Sequence, residues 1–388
     1  MVLGMRIAIV HDYLYTLGGA EKVLQCMLEC FPAADLYSLF DLLCPEDRAR
    51  IGYRECKTSF LQKMPGIAQR HRLYLPLMPL AVEQLDVSAY DLVISSSWAV
   101  AKGILTGPDQ LHISYVHSPM RYAWDLQHEY LRLSGLEHGV KSWIARALLH
   151  RMRLWDVRTA NGVDDYLANS RFSARRIEKA YGRQAHVIYP PVNVPPTVPK
   201  VAKGDFFITA SRLVPYKNVH KIVQAFGKMP NERLIVVGDG PEMRRLQNLA
   251  GDNVTFTGFV RGAELRDLLS AARAFIFAAE DDFGIAPVEA QAQGTPVIAL
   301  RRGGARETVI ESNENPTGMF FDLPSTESIA GAVSAFVRSE KGFLREHCHG
   351  NACRFSKERF RIEFSDFVHQ RIAEFARGAG NAAALRAA

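Results

Sequence analysis

The sequence predicts an α/β protein of two doubly wound, Rossmann-like domains, on three observations. Apolar runs of strand length recur along the chain, segments with helical spacing separate them, and one proline-rich stretch divides them into two sets. Continuous apolar strands belong to a parallel sheet covered on both faces, since a sheet with a wet face would alternate apolar and polar residues. In the first set the runs are residues 6–10, 36–40, 91–95, 112–116, 165–168 and 187–189. The second set comprises 206–210, 233–237, 254–257, 274–277, 297–300 and 319–321. Each set forms its own doubly wound domain in this reading.

Residues 189–199 hold five prolines in eleven positions without apolar periodicity. Proline restricts itself and its predecessor, so the stretch is neither helix nor central strand and reads as an extended connector. The predicted boundaries are a first domain over 1–189, a linker over 190–199 and a second domain over 200–354. Ligands of doubly wound sheets bind beyond the carboxyl ends of the strands, so the expectation is two domains facing each other across a cleft that encloses the ligand. The tail, 377–388, is mostly alanine and glycine and reads as a frayed end or a short exposed helix.

Composition narrows the classes. Of 388 residues, 48% are hydrophobic, 23% charged and 10% aromatic, which excludes disorder, collagen and coiled coil as descriptions of the whole. No run approaches about 18 apolar residues, and residues 1–10 carry one charge with no cleavage pattern behind them, so neither a membrane span nor a secretory signal is expected. Six cysteines without a C-x-x-C pair make no disulfide scaffold; Cys26 and Cys30, four apart on a predicted helix, read as free packed thiols, and a reducing cytoplasm is the expected location. The net charge of +6 favours anionic partners, phosphates or acidic headgroups. No nucleic-acid recognition motif accompanies it, so nucleic acid is not an expected partner.

Four places could carry chemistry. The first strand runs into His11-Asp12-Tyr13 and then Gly18-Gly19 at the start of a helix, where free N–H groups either bind phosphate or simply make a strand-to-helix turn. Arg212 and Lys217 stand five apart in the loop after the first strand of the second domain, where a fork and a point charge can neutralise a diphosphate. The segment 279–298 places Glu280, Asp281 and Asp282 after a strand, followed by Phe283, Gly284 and Ile285. A helix is expected to begin near Pro287, with Glu289 in its first turn and an end at Gly294. Carboxylates there either accept from vicinal sugar hydroxyls or cap the helix. His117, at a strand end before Ser118-Pro119, reads as a structural or a catalytic histidine; Glu307 reads as a substrate contact or a helix-terminal acid.

The Arg212 to Lys217 spacing, the Gly238-Asp239-Gly240-Pro241 turn and the acid-x7-Glu segment from Asp281 to Glu289 together resemble the retaining glycosyltransferases of family 4, group 1, which have the two-domain GT-B architecture. The stretch from Tyr115 to Asp125 further resembles bacterial mannosyltransferases of surface-polysaccharide synthesis. The resemblance implies that Arg212 and Lys217 hold a diphosphate, that Glu289 holds ribose hydroxyls, and that Asp281 sits near the transferred sugar where the family usually has glutamate, with Glu280 and Asp282 beside it. It implies His117 at the sugar, the backbone of Gly18 and Gly19 by the diphosphate, and that of Phe259 and Val260 by the base. It also implies that residues 355–388 form a helix returning to the first domain, with a flexible tail.

The implied function is transfer of a hexose, mannose from GDP-mannose first, onto a lipid-linked or saccharide acceptor. The alternatives are another GDP- or UDP-sugar, or a non-transferring enzyme or binding protein of the same fold. No cofactor is implied. No D-x-D occurs in the sequence, so a metal is not expected. Residues 141–158 mix five Lys/Arg with Trp143 and Trp155, and read either as a basic amphipathic helix on anionic lipid at the inner face of the cytoplasmic membrane or as a domain helix with a solvated face. In residues 70–80 the prolines are expected to break any helix and leave apolar residues in a loop.

Overall fold

A computed structural model describes residues 4–387, with side chains described through 377; the side chains of the alanine-rich tail lie outside the described residues. The chain forms two compact units, one of Met1–Pro190 with Phe360–Ala388 and one of Pro191–Arg359.

The first unit holds seven strands: β1 Ile7–His11, β2 Asp35–Ser38, β3 Lys57–Thr58, β4 Leu92–Ser97, β5 Leu111–Val116, β6 Asp165–Ala168 and β7 His186–Val187. They pair in the order β3-β2-β1-β4-β5-β6-β7, all parallel. Ile7, Ile9, Leu92, Ile94 and Ile113 face one core with Val23, Leu24 and Met27; Ala8, Val10 and Val93 face another with Met78 and Val82. Burial on both faces is why the strands read as unbroken apolar runs. From Phe360 onward the helix Lys357–Ala387 belongs to this unit, and Phe360, Phe364, Val368 and Ile372, spaced by four, enter the first of these cores. The sequence reading missed β3, which is two polar residues pairing with Tyr37 and Ser38 at the sheet edge.

The second unit has six strands: β8 Phe207–Ala210, β9 Leu234–Val237, β10 Val254–Gly258, β11 Phe275–Phe277, β12 Val297–Leu300 and β13 Gly318–Phe321. Their order is β10-β9-β8-β11-β12-β13, again all parallel. The strand order reverses between β1 and β4 in one sheet and between β8 and β11 in the other. These are the points where doubly wound sheets open a crevice at their carboxyl ends. The proline stretch is ordered on the second unit: Val192 donates to Phe355 O at 2.8 Å, and the Pro195 carbonyl lies 2.9 Å from His349 Nε2.

Candidate functional site

In the first unit, β1 and β4 end side by side with His11 in register with Ser96. Ser96 Oγ lies 3.0 Å from His11 Nδ1 and 2.9 Å from Nε2 of His117, the residue that follows β5. His117 is half-buried; its N–H donates to Ser97 O at 2.8 Å and its carbonyl accepts from Asn169 Nδ2 at 2.7 Å. Burial, reinforced by the neighbouring His11, pushes its pKa down to about 3, so the imidazole is neutral. Asp12, fully buried, accepts the backbone N–H groups of Trp98, Ala99, Val100 and Ala101 at 2.5–2.8 Å, which fixes the chain leaving β4. Burial raises the Asp12 carboxyl and these N–H groups oppose the rise.

Gly18 and Gly19 stand at the start of the helix Gly19–Cys30, as read, but Gly18 N–H donates to Glu21 Oε2 at 2.7 Å. One of the donors expected to face phosphate is thus taken by the chain's own carboxylate. His11, Asp12, Ser96 and Glu21 were given no role from sequence; the only signal was polarity at strand ends that should be apolar, above all Ser95-Ser96-Ser97, all buried.

In the second unit, the loops after β8 and β11 converge. Lys217 forms an ion pair with Asp281, and Asn218 Nδ2, in the left-handed region at φ 56°, donates to Ala278 O at 3.1 Å. Arg212 is exposed and makes no ion pair among the described residues. Glu280 is more open, with Arg302 at 3.9 Å. Asp282 is buried, and the Phe283 ring packs on Phe355 at 5.4 Å between centroids, so Phe283 offers only backbone to a ligand. The helix begins at Ile285, two residues before Pro287, with Gly284 at φ 82° before it. Proline fits the third helical position as well as the first, because none of the first four N–H groups has an intrahelical partner. Glu289 is therefore the fifth helical residue, past the first turn in which the sequence placed it. Glu307 does lie in the first turn of the short helix Ala305–Thr308.

Glycines let these loops meet. A Cβ on Gly303 would come within 2.3 Å of Asp281 O, and Gly304 N–H donates to that oxygen at 2.9 Å. At Gly238, φ 129°, a Cβ would come within 1.9 Å of Ser211 O, beside Arg212. Phe259 is exposed under the Arg261 guanidinium at 4.8 Å, whereas Val260 is buried.

The helix Val140–Thr159 corrects the basic-helix reading in detail. Trp143, 77% exposed, shares an outer stripe with Val140, Ile144, Leu154, Lys141 and Arg151. Trp155 does not: its Nε1 donates to Glu83 at 2.7 Å and its ring covers Gly103. Arg146 turns back to Ser142 Oγ at 3.1 Å. Residues 70–80 are not a loop. They form a 3-10 helix, His71–Leu77, and open the helix Met78–Glu83, where Pro79 in the first turn needs no N–H partner. Leu73 (72%) and Leu80 (49%) are nonetheless exposed. Among the described residues, no helix is long and apolar enough to cross a membrane.

Two parallel sheets of this order, with cations and carboxylates at the carboxyl ends of the second, define a protein of two doubly wound, Rossmann-like domains. Residues 17–194 match the model of Glycosyltransferase Family 4 and residues 195–354 that of Glycosyl transferases group 1, and the chain belongs to this family. The sulfoquinovosyl transferase of Arabidopsis thaliana is 26% identical over 71% of this chain and 54% of its own length. A GDP-mannose-dependent phosphatidylinositol monomannoside mannosyltransferase of Mycobacterium tuberculosis is 30% identical over 50% of this chain and 56% of its own. The chain thus spans about half the length of the curated relatives it matches. Among solved structures, Anabaena HepE in complex with UDP shares the fold at a TM-score of 0.68 and 20% identity, over 94% of this chain and 100% of that one. Sucrose-phosphate synthase of Thermosynechococcus elongatus does so at 0.72 and 19%, over 95% and 100%.

Proposed function

We propose that the protein is a retaining, metal-independent glycosyltransferase that moves a hexose, mannose from GDP-mannose, onto a lipid-linked or saccharide acceptor of a bacterial surface polysaccharide. The observation that carries this is the ion pair of Lys217 with Asp281 at the point where the second sheet reverses its strand order, with the exposed Arg212 on the same loop as Lys217. Breaking the bond from the anomeric carbon to the diphosphate leaves negative charge on the nucleotide, and fixed cations there lower the barrier. Lys217, paired with Asp281 in the free protein, exchanges one anion for another when a diphosphate enters. Arg212 has no such partner to give up. Asp281 then faces the sugar, and Glu289 accepts from the ribose. The new bond forms on the face the nucleotide leaves, and the acceptor's proton passes to the departing phosphate oxygen, so no protein nucleophile is required.

His117, neutral, takes a sugar hydroxyl in the first unit. The stripe of Val140, Trp143, Ile144 and Leu154 with Lys141 and Arg151 lies on anionic lipid at the inner face of the cytoplasmic membrane, which supplies a lipid-linked acceptor. The mannosyltransferase relatives support the donor, and the HepE complex with UDP makes a uridine sugar its competitor. A thermal-shift panel with GDP, UDP, ADP, GDP-mannose and UDP-glucose, followed by product analysis with the nucleotide sugar that stabilises, tests the reading. GDP and GDP-mannose should raise the melting temperature in EDTA, and GDP-mannose should turn over. Stabilisation by UDP compounds alone would overturn the donor; no turnover of any stabilising nucleotide sugar would overturn the reaction.

A further inference from the structure

Ser96 is one hydroxyl set between two imidazoles, and it has one proton to give. With Oγ at 3.0 Å from His11 Nδ1 and 2.9 Å from His117 Nε2 and no third partner among the described residues, it uses its own proton only by donating to one ring, and then accepts from the other. The protons therefore run along this chain in one of two directions. At its far end, His11 Nε2 is buried, makes no hydrogen bond and lies 3.7 Å from Glu21 Oε1. His11 is fully buried and Glu21 is buried as well, so little water screens the carboxylate. An anion at that distance favours an N–H over a lone pair facing it. The orientation of Glu21 is itself fixed, because its other oxygen accepts from Gly18 N–H at 2.7 Å.

We propose that Glu21, acting through His11 and Ser96, sets the tautomer of His117, so that the ring holds its proton on Nε2 and presents a bare Nδ1 as acceptor for a substrate hydroxyl. With N–H at His11 Nε2, His11 Nδ1 accepts from Ser96, and the Ser96 oxygen then accepts from His117 Nε2. His117 Nδ1 has no hydrogen-bond partner among the described residues, in a ring that is half-buried rather than enclosed. Glu21, His11 and Ser96 are positioning residues: none need touch substrate. The substrate hydroxyl rests on the glycosyltransferase reading, whereas the tautomer does not.

Nitrogen-15 NMR of the full-length, ligand-free protein with labelled histidine, at about pH 8 where imidazoles are neutral, reads the tautomer directly. His117 is assigned by its loss in His117→Gln. The wild-type spectrum should show His117 protonated on Nε2; protonation on Nδ1 would overturn the proposal with no variant needed. In Glu21→Gln the amide oxygen must stay where Gly18 N–H requires it, which turns the NH2 group toward His11 Nε2. The chain of donors reverses, and His117 should convert to the Nδ1 tautomer. An unchanged His117 in folded Glu21→Gln would overturn the relay. In Ser96→Ala the link is cut, so adding Glu21→Gln should no longer move the His117 signal; a persistent response would show another route. With turnover as readout, Glu21→Gln should lower kcat/KM about 10- to 100-fold, as for a mispaired buried donor, while nucleoside diphosphate affinity stays unchanged. A tautomer that reverses in a protein with no transferase activity would sink the reaction and keep the relay.

Discussion

At the carboxyl edge of the first sheet the chain sets side chains that hydrogen-bond within the protein: His11 and His117 on Ser96, and Asp12 on four backbone N–H groups. At the same edge of the second sheet it sets glycines that bring backbones together and charged groups, Arg212, Lys217, Asp281 and Glu280, that remain partly open to solvent. The first arrangement is mostly hydrogen-bonded within itself and leaves His117 Nδ1 open, suited to orienting a hydroxyl group. The second holds charge on a rigid backbone frame, suited to an anion that arrives from water. Two units that share the order of six strands thus differ in what a substitution or a proton would damage.

The frame of the second unit should fail most severely. Gly238→Ala combines a left-handed φ with a Cβ 1.9 Å from a carbonyl oxygen, and should destabilise the second unit by more than about 4 kcal/mol or prevent its folding. Gly331→Ala, in an exposed helical position with open space around it, should instead add up to about 1 kcal/mol. Chemical denaturation of both variants checks the pair, and equal effects would show that the close approach is not structural.

Acid should separate the units in the opposite sense. Burial holds His112 down to about 4 and His117 to about 3, below the usual 6.5. Between those values the unfolded chain binds more protons than the folded one, so stability falls as pH falls, by about 1.6 kcal/mol per histidine from pH 6.5 to 5. All four tryptophans, Trp98, Trp124, Trp143 and Trp155, belong to the first unit, so their fluorescence follows it alone. The denaturation midpoint read by tryptophan should drop between pH 7 and 5, and His112→Gln should remove about half of that slope. A flat profile would contradict neutral buried imidazoles.

How legible each site was in the sequence follows the same division. Apolar strands announced both sheets, and the glycines and charges of the second site stood out because they interrupt apolar runs at their ends. The first site was hidden. Ser95, Ser96 and His112 lie inside strands, and that Ser96 meets both His11 and His117 depends on β4 pairing between β1 and β5, a strand order no local pattern states. Glu289 was placed in the first turn because proline prefers the first helical position, whereas Gly284 turns the chain two residues earlier and the helix starts at Ile285. Trp155 shares a helix and a residue type with Trp143, yet Gly103 and Glu83 claim it for the interior, a tertiary fact.

The smallest expected effect concerns the surface of the first unit. Lys141→Glu with Arg151→Glu should abolish sedimentation with anionic vesicles at low salt, at roughly 1 kcal/mol per charge, and leave GDP binding intact. Wild-type protein that stays in the supernatant, or a doubly reversed variant that still pellets, would return this helix to ordinary solvated status.

The central claim is that charges fixed by the second unit, rather than a metal ion, hold a nucleoside diphosphate. Calorimetric titration of GDP in EDTA against wild-type protein and folded Lys217→Ala tests it most directly. Wild type should bind without added metal, and Lys217→Ala should bind about 10- to 100-fold more weakly, the loss of one charge-assisted contact. Binding that requires a divalent ion, or an affinity unchanged by the loss of Lys217, would contradict it.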